Sequence, residues 1–230
     1  MSGIIIFGAG GRAGRAVTAE ARARGHQVTA VVRDPARHPG LTTDGLTLTR
    51  GDVTDVHAIS TLAPGHAAAV HVVSPFSGPA QGFADLDPEF FTKAADALLT
   101  GLATAGVPRL VAIGLFANLL DDHGRPIMDD PAAFPPEIRP FALAHTAGLD
   151  RLRAAGHTAV DWVMLTPPAM LTLDTARTGR YMTGGERAPV AARLSYADLA
   201  VAVLDEIETP RHHRTRVSIT GGPAGAPAEV

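Results

Sequence analysis

No cysteine occurs among the 230 residues. That excludes a disulfide framework, a thiolate metal site and a cysteine nucleophile. Excess charge of one sign is also missing. Twenty Lys and Arg face 23 Asp and Glu, a net charge of −3 with the ten histidines neutral. No basic field for nucleic acid results. No apolar run approaches the roughly 18 residues of a membrane span. The opening MSGIII has no basic segment ahead of an apolar stretch, so no signal peptide is visible. These absences predict a cytoplasmic protein that uses neither nucleic acid nor membrane as a partner. A repeat of solenoid length is lacking too. What is present is a globular balance, 46% hydrophobic and 19% charged, over a length that suits a single domain spanning 1–230.

Short β-rich runs alternate with helical patterns. Strands are predicted at 3–7, 27–32, 46–50, 67–73, 109–114, 160–165 and 216–220. Several are apolar on consecutive residues, as in a parallel sheet buried on both faces. Helices are predicted at about 12–25, 55–63, 87–106, 136–155 and 196–208. Asp87-Pro88-Glu89 offers an N-cap, a first-turn proline and a first-turn acid. Ser195 to Asp198 has the form of a capping box. Gly106 and Gly156 are placed to end helices. The alternation implies an α/β fold, a doubly wound parallel sheet of Rossmann type. Two stretches break the rhythm: 115–136, rich in Asp and Pro, and 166–194, rich in Thr, Arg and Gly. Both follow strands, so both belong over the carboxyl edge of the sheet, where ligands bind. The tail from Gly221 reads as loose.

The stretch FGAGGRAGRA (7–16) carries the strongest signal. Gly8, Gly11 and Gly14 follow the first strand at G-x-x-G-x-x-G spacing, with Gly10 overlaid and Arg12 and Ala13 between. A tight turn needs positive φ, and a pyrophosphate needs bare backbone to approach. The helix that follows offers free N–H groups and a positive dipole end. A strand before, a helix after and a second strand beyond form the context of a dinucleotide site. That second strand ends in VVRDPAR. An acid at this point takes the ribose hydroxyls of NAD, whereas arginine suits a 2′-phosphate. Arg33, with Arg12 and Arg37 nearby, predicts NADP (NADPH) as cofactor. Asp34 leaves NAD as the alternative.

With these residues the chain resembles the atypical short-chain dehydrogenase/reductases, the NmrA-like and flavin-reductase-like NAD(P)H-binding proteins. The resemblance covers nearly the whole chain. It rests on IIIFGAGGRAGRAV, VVRDPAR, GDVTD (51–55), HVVSP (71–75), DWVMLTPP (161–168), RTGRYMTGG (177–185) and SYADLAVAVLDEIE (195–208). It implies that Asp52 and Val53 flank the adenine. Ser74 and Pro75 would flank the nicotinamide-side ribose, and Thr166, Pro167 and Pro168 the carboxamide. The two irregular stretches become a small, C-terminal substrate-binding lobe.

The departures from that family bear on mechanism. Its main branch uses a Tyr-x-x-x-Lys pair on the fifth helix and a Ser after the fifth strand. Here Phe141 stands at the Tyr, His145 at the Lys, and Asn118 follows the fifth strand in LFANLL. Phe cannot protonate an alkoxide. His145 is a candidate general acid. Tyr181, in the lobe, is a second candidate, and Asn118 is a candidate carbonyl partner. Asp121, Asp122 and His123 lack a second spaced ligand set, so no metal site is predicted. His212-His213 reads as a solvated connector and Tyr196 as structural. The expected activity is NADPH-dependent hydride transfer to a small conjugated acceptor of flavin, quinone or enone type. The alternatives are an NADP-binding sensor without turnover and an isomerase or epimerase on the same fold. The partner is a small-molecule substrate, and the chain is a monomer or homodimer.

Overall fold

In the computed structural model, residues 2–41, 44–75, 86–156, 158–189 and 192–222 are described. The tail beyond Gly222 lies outside them. The strands are β1 (Gly3–Phe7), β2 (Gln27–Val32), β3 (Leu46–Arg50), β4 (Ala68–His71), β5 (Arg109–Ile113), β6 (Asp161–Thr166), β7 (Met170–Thr172), β8 (Tyr181–Gly184), β9 (Arg193–Ser195) and β10 (Thr215–Gly221). The helices are α1 (Arg12–Ala23), α2 (Val56–Leu62), α3 (Phe90–Ala105), α4 (Arg139–Ala154) and α5 (Tyr196–Glu208). Eight strands form one sheet in the order β3-β2-β1-β4-β5-β6-β10-β8. Every neighbouring pair in it is parallel except β10 with β8. β7 and β9 pair separately, in parallel.

The sequence of β1 shows why the sheet is covered on both faces. Ile4, Ile5 and Ile6 are all fully buried. Successive side chains of a strand alternate in direction. Ile4 and Ile6 join the core under α1 and α5, while Ile5 joins the core under α2, α3 and α4. Burying such a side chain is worth about 1.5–3 kcal/mol, so a polar residue at any of the three positions would open one layer. Trp162, the sole tryptophan, lies in β6 at 1% exposure within the second core.

The helix ends follow local chemistry. Gly106 and Gly156 have φ of +72° and +60°, the left-handed region that glycine enters without a Cβ clash. Ser195 Oγ accepts from Asp198 N–H at 2.9 Å and caps α5. Asp198 does not complete the reciprocal half of a capping box. Its buried carboxylate accepts from Ser195 Oγ, Thr178 N–H, Thr178 Oγ1 and Gly179 N–H, and so ties the RTGRYMTGG segment to α5. Asp87 is not the cap of α3. It closes a turn by accepting from Glu89 N–H at 2.9 Å, and the helix begins at Phe90.

A cluster of charged side chains sits at the amino edge of the sheet. Buried Arg109 pairs with Asp161 at 2.6 Å and with buried Glu206 at 2.8 Å. His212 Nδ1 lies 2.7 Å from Glu206 and His213 Nδ1 2.8 Å from Asp161. The two histidines lie on an exposed connector, as the sequence suggests, and also reach this cluster, because the carboxylates paired with Arg109 keep acceptor capacity to share.

Candidate nucleotide and acceptor site

The four glycines after β1 are bare for different reasons. Gly8 has φ +93°, and its N–H donates to Val31 O at 3.0 Å. A Cβ on Gly14 would lie 2.1 Å from Gly8 O and 2.6 Å from the Ala9 Cα. That contact brings α1 directly onto the loop. A Cβ on Gly10 would meet the His38 imidazole at 2.4 Å. Only Gly11 faces open space, its nearest atom being Gly8 O at an ordinary 3.5 Å. Internal contacts thus leave no room for a side chain at three of the glycines, and Gly11 alone has open space before it.

The start of α1 is prepared for an anion. Gly11 is its N-cap, no side chain caps it, and the first turn contains no acid. It carries Arg12 and Arg15 instead, and Arg15 Nε donates to Gly10 O at 3.0 Å. The N–H groups of Arg12, Ala13 and Gly14 belong to the first turn, where an α-helix offers no internal acceptor. Cations at a helix N-terminus oppose its dipole, a cost that a bound anion reverses. The Arg12 guanidinium sits 5.8 Å from the Tyr196 ring centroid, at the start of α5.

Beyond β2, Arg33 and Arg37 are exposed, and neither has an ion-pair partner among the described residues. Asp34 is turned away to its own chain, accepting from Ala36 N–H at 3.1 Å. Asp52 likewise closes a turn on Thr54 through its N–H and Oγ1, and Val53 is buried. These residues fit a dinucleotide: uncapped helix amides and glycine backbone for a pyrophosphate, and unpaired guanidinium groups at the adenosine end.

The other end of the edge is built differently. Ser74 and Pro75 follow β4. Thr166 ends β6, fully buried, with its hydroxyl pressed toward Gly114 and without a partner; Pro167 is buried after it. Phe141 and His145 share α4 with ring centroids 6.1 Å apart, and the Phe91 ring lies 4.1 Å from that of His145. His145 and His71, the last residue of β4, border a cavity of about 20 Å³ whose other walls are hydrocarbon. Burial holds His71 down to about 4 and His145 to about 3, the latter helped by the charges of His71 and Arg216. Both imidazoles are neutral at pH 7. The expectation of His145 as an imidazolium donor is corrected, since burial outweighs the one main-chain hydrogen bond that favours its charged form.

Asn118 and Tyr181 are corrected too. The Asn118 amide donates to Thr146 Oγ1 at 2.9 Å and to Ala142 O at 3.3 Å, bracing the loop after β5 against α4. Its main-chain oxygen accepts from Arg216. Tyr181 donates its hydroxyl to Asp205 at 2.8 Å and packs on the α1/α5 core, across the sheet from His145. Burial first, then this hydrogen bond, raises its pKa. The three candidates therefore do not converge. The stretches 115–136 and 166–194 do meet, however. Leu120 N–H donates to Glu186 O, and Ala188 N–H to Leu120 O. Asp121 closes its own turn on His123 N–H and Arg125 N–H, and no cluster fit for a metal occurs among the described residues.

Sequence reasoning missed His71 and His38. His71 had a signal, a lone polar residue in the apolar run AAAVHVV. His38 had none, because its contact with Gly10 is made in space, 28 positions away.

Comparison with known proteins accords with this geometry. Residues 8–210 match the model of a family described as NAD(P)H-binding. The uncharacterized protein YwnB of Bacillus subtilis is 34% identical over 222 residues, 93% of this chain and 96% of the relative. Among solved structures, a "putative epimerase" of Bacteroides thetaiotaomicron is 28% identical with a TM-score of 0.81, covering 98% of this chain and 99% of its own. A "putative NADH-flavin reductase" of Streptococcus pneumoniae is 25% identical with a TM-score of 0.77, covering 96% and 100%. The glycine loop, the uncapped α1 and the sheet order thus agree with the sequence match: the chain belongs to the NAD(P)H-binding family of Rossmann proteins.

Proposed function

We propose that the chain is an NADPH-dependent reductase of the atypical short-chain type that delivers hydride to a small conjugated acceptor, such as a flavin, quinone or enone. The observation that carries this reading is the wall formed by α4. It offers Phe141, which has no exchangeable proton, and His145, which burial keeps neutral. When bound, the dihydronicotinamide supplies a hydride. Gly11 and the first turn of α1 hold the pyrophosphate, and Arg33 and Arg37 select the 2′-phosphate. The α4 wall excludes water from one side of the acceptor without charging it. Acceptors that delocalise incoming charge need little help from a positioned acid, and solvent can protonate them afterwards. The kinship with a pneumococcal protein named as an NADH-flavin reductase supports this class.

The test is NADPH oxidation against a flavin, quinone and enone panel, with 4-deuterated NADPH. A primary isotope effect with a solvent isotope effect near unity supports the reading. Tight cofactor binding with no turnover would favour a sensor instead. The likeness to a protein named as an epimerase supports a second reading, isomerisation. Product formation without net NADPH consumption would select it.

A further inference from the structure

Gly10 is bare for a reason internal to the chain. The Cε1 and Nε2 atoms of His38 would lie 2.4 and 2.5 Å from a Cβ at this position. The imidazole edge therefore stands where residue 10's own side chain would be. His38 Nδ1 is buried and has no partner among the described residues. A proton there would be sealed without an acceptor, so the neutral ring carries its N–H on Nε2, the nitrogen beside the Gly10 Cβ position, as a donor. The loop that supplies this ring also supplies Arg33 and Arg37, while the acid beside them, Asp34, is engaged with Ala36 N–H. Arg15 reaches the same glycine from the other side, donating to Gly10 O. A neutral ribose edge does not call for such a set. A phosphomonoester does, with a charge of about −1.5 to −2 and three strong acceptor oxygens.

We propose that His38 replaces the missing side chain of Gly10 and donates a hydrogen bond to the 2′-phosphate of NADPH, acting with Arg33 to select that cofactor over NADH. This rests on the NADPH reading above and adds a residue to it. The donor is delivered from the β2 side of the loop, so cofactor choice depends on how the segment after Arg33 packs against the glycines.

Calorimetry with NADPH, NADH and adenosine 2′,5′-bisphosphate tests this on wild type, His38→Ala, His38→Gln, Arg33→Ala and the double variant Gly10→Ser/His38→Ala. His38→Ala should weaken NADPH and the bisphosphate about tenfold and leave NADH within about twofold, the loss of one hydrogen bond to a charged group. His38→Gln, which keeps a donor, should retain most of the affinity. The serine of the double variant should restore at least about threefold. If His38→Ala leaves bisphosphate affinity unchanged while Arg33→Ala lowers it, the role of His38 is overturned and the cofactor reading stands. An equal loss of NADPH and NADH would make His38 a support of the loop alone, which also overturns its role. If wild type binds NADPH and NADH equally, the cofactor reading fails and this proposal with it. Should His38→Ala not fold in a thermal melt, His38→Leu gives the same reading, since it fills the space without a donor.

Discussion

The two ends of the sheet's carboxyl edge treat charge in opposite ways. At the α1 end, side chains are stripped from the loop, and Arg12, Arg33 and Arg37 stand exposed without carboxylate partners among the described residues. At the α4 end, charge is shut out. His71 and His145 are sealed as neutral rings, and the Arg216 cation that acts on His145 is buried and paired with Glu186. An arginine left unpaired in water keeps its affinity for a ligand phosphate. A histidine sealed in hydrocarbon gives up its proton. One end thus offers unpaired positive charge to solvent, and the other offers apolar surroundings.

The comparison breaks most visibly at the glycines. Gly14→Val should prevent stable folding, because its side chain would overlap the Gly8 carbonyl. Gly11→Val, facing open space, should keep a cooperative melt within a few degrees of wild type and lose cofactor binding by at least about 100-fold, roughly 2.7 kcal/mol. Calorimetry with thermal melts checks both. Retained binding in Gly11→Val would place the phosphates elsewhere. Arg33→Ala comes next, with a loss of about 1.5–3 kcal/mol for NADPH and little for NADH. Equal affinity of the wild type for the two cofactors would defeat it.

At the α4 end the effects are smaller and turn on pH. His71 and His145 have folded pKa values depressed to about 4 and about 3, below the unfolded value of about 6.5. The unfolded chain then binds more protons below pH 6.5. Stability from the neutral rings is complete above that pH and is lost as pH falls toward the folded values. Unfolding free energy should fall between pH 7 and pH 5, by up to about 1.4 kcal/mol per pH unit for each ring, and the melting temperature should fall with it. His145→Leu should flatten the slope, and an unchanged slope would mean that another group titrates. The smallest expected effect is on chemistry. Turnover of folded His145→Leu should stay within about threefold of wild type, with a flat profile from pH 6 to 8. A loss near 10²-fold, the lower range for general acid catalysis, would return His145 to the role of proton donor.

Much of this was legible from the chain alone, for identifiable reasons. The run at β1 and the glycines after it are local signals, and so are the caps at Gly106, Gly156 and Ser195. Among the described residues, the five α-helices and seven of the ten strands lie where the pattern puts them, to within a few residues. β7, β8 and β9 were missed because they are three or four residues long and gain their identity from partners, β8 by lying antiparallel along β10. The sequence predicts the glycine loop as a phosphate cradle, but spacing alone could not separate the glycine that faces open space from those that face Gly8 or His38. Tyr181 and Asn118 carry chemically capable groups, and only the fold reveals that the tyrosine hydroxyl is spent on Asp205 and the Asn118 amide N–H groups on the α4 main chain and Thr146, while the Asn118 side-chain oxygen is buried without a partner among the described residues.

The solitary indole at position 162 turns the division between these ends into something optical. It is sealed in the layer beneath α3 and α4. Its emission therefore reports on that half of the molecule and is blind to the arginines at the other end. Dihydronicotinamide absorbs where tryptophan emits, so quenching of Trp162 by added NADPH offers a label-free readout of occupancy. A red shift of the same band would signal that water has entered the α4 layer. One chromophore then distinguishes a variant that has lost its ligand from one that has lost its core.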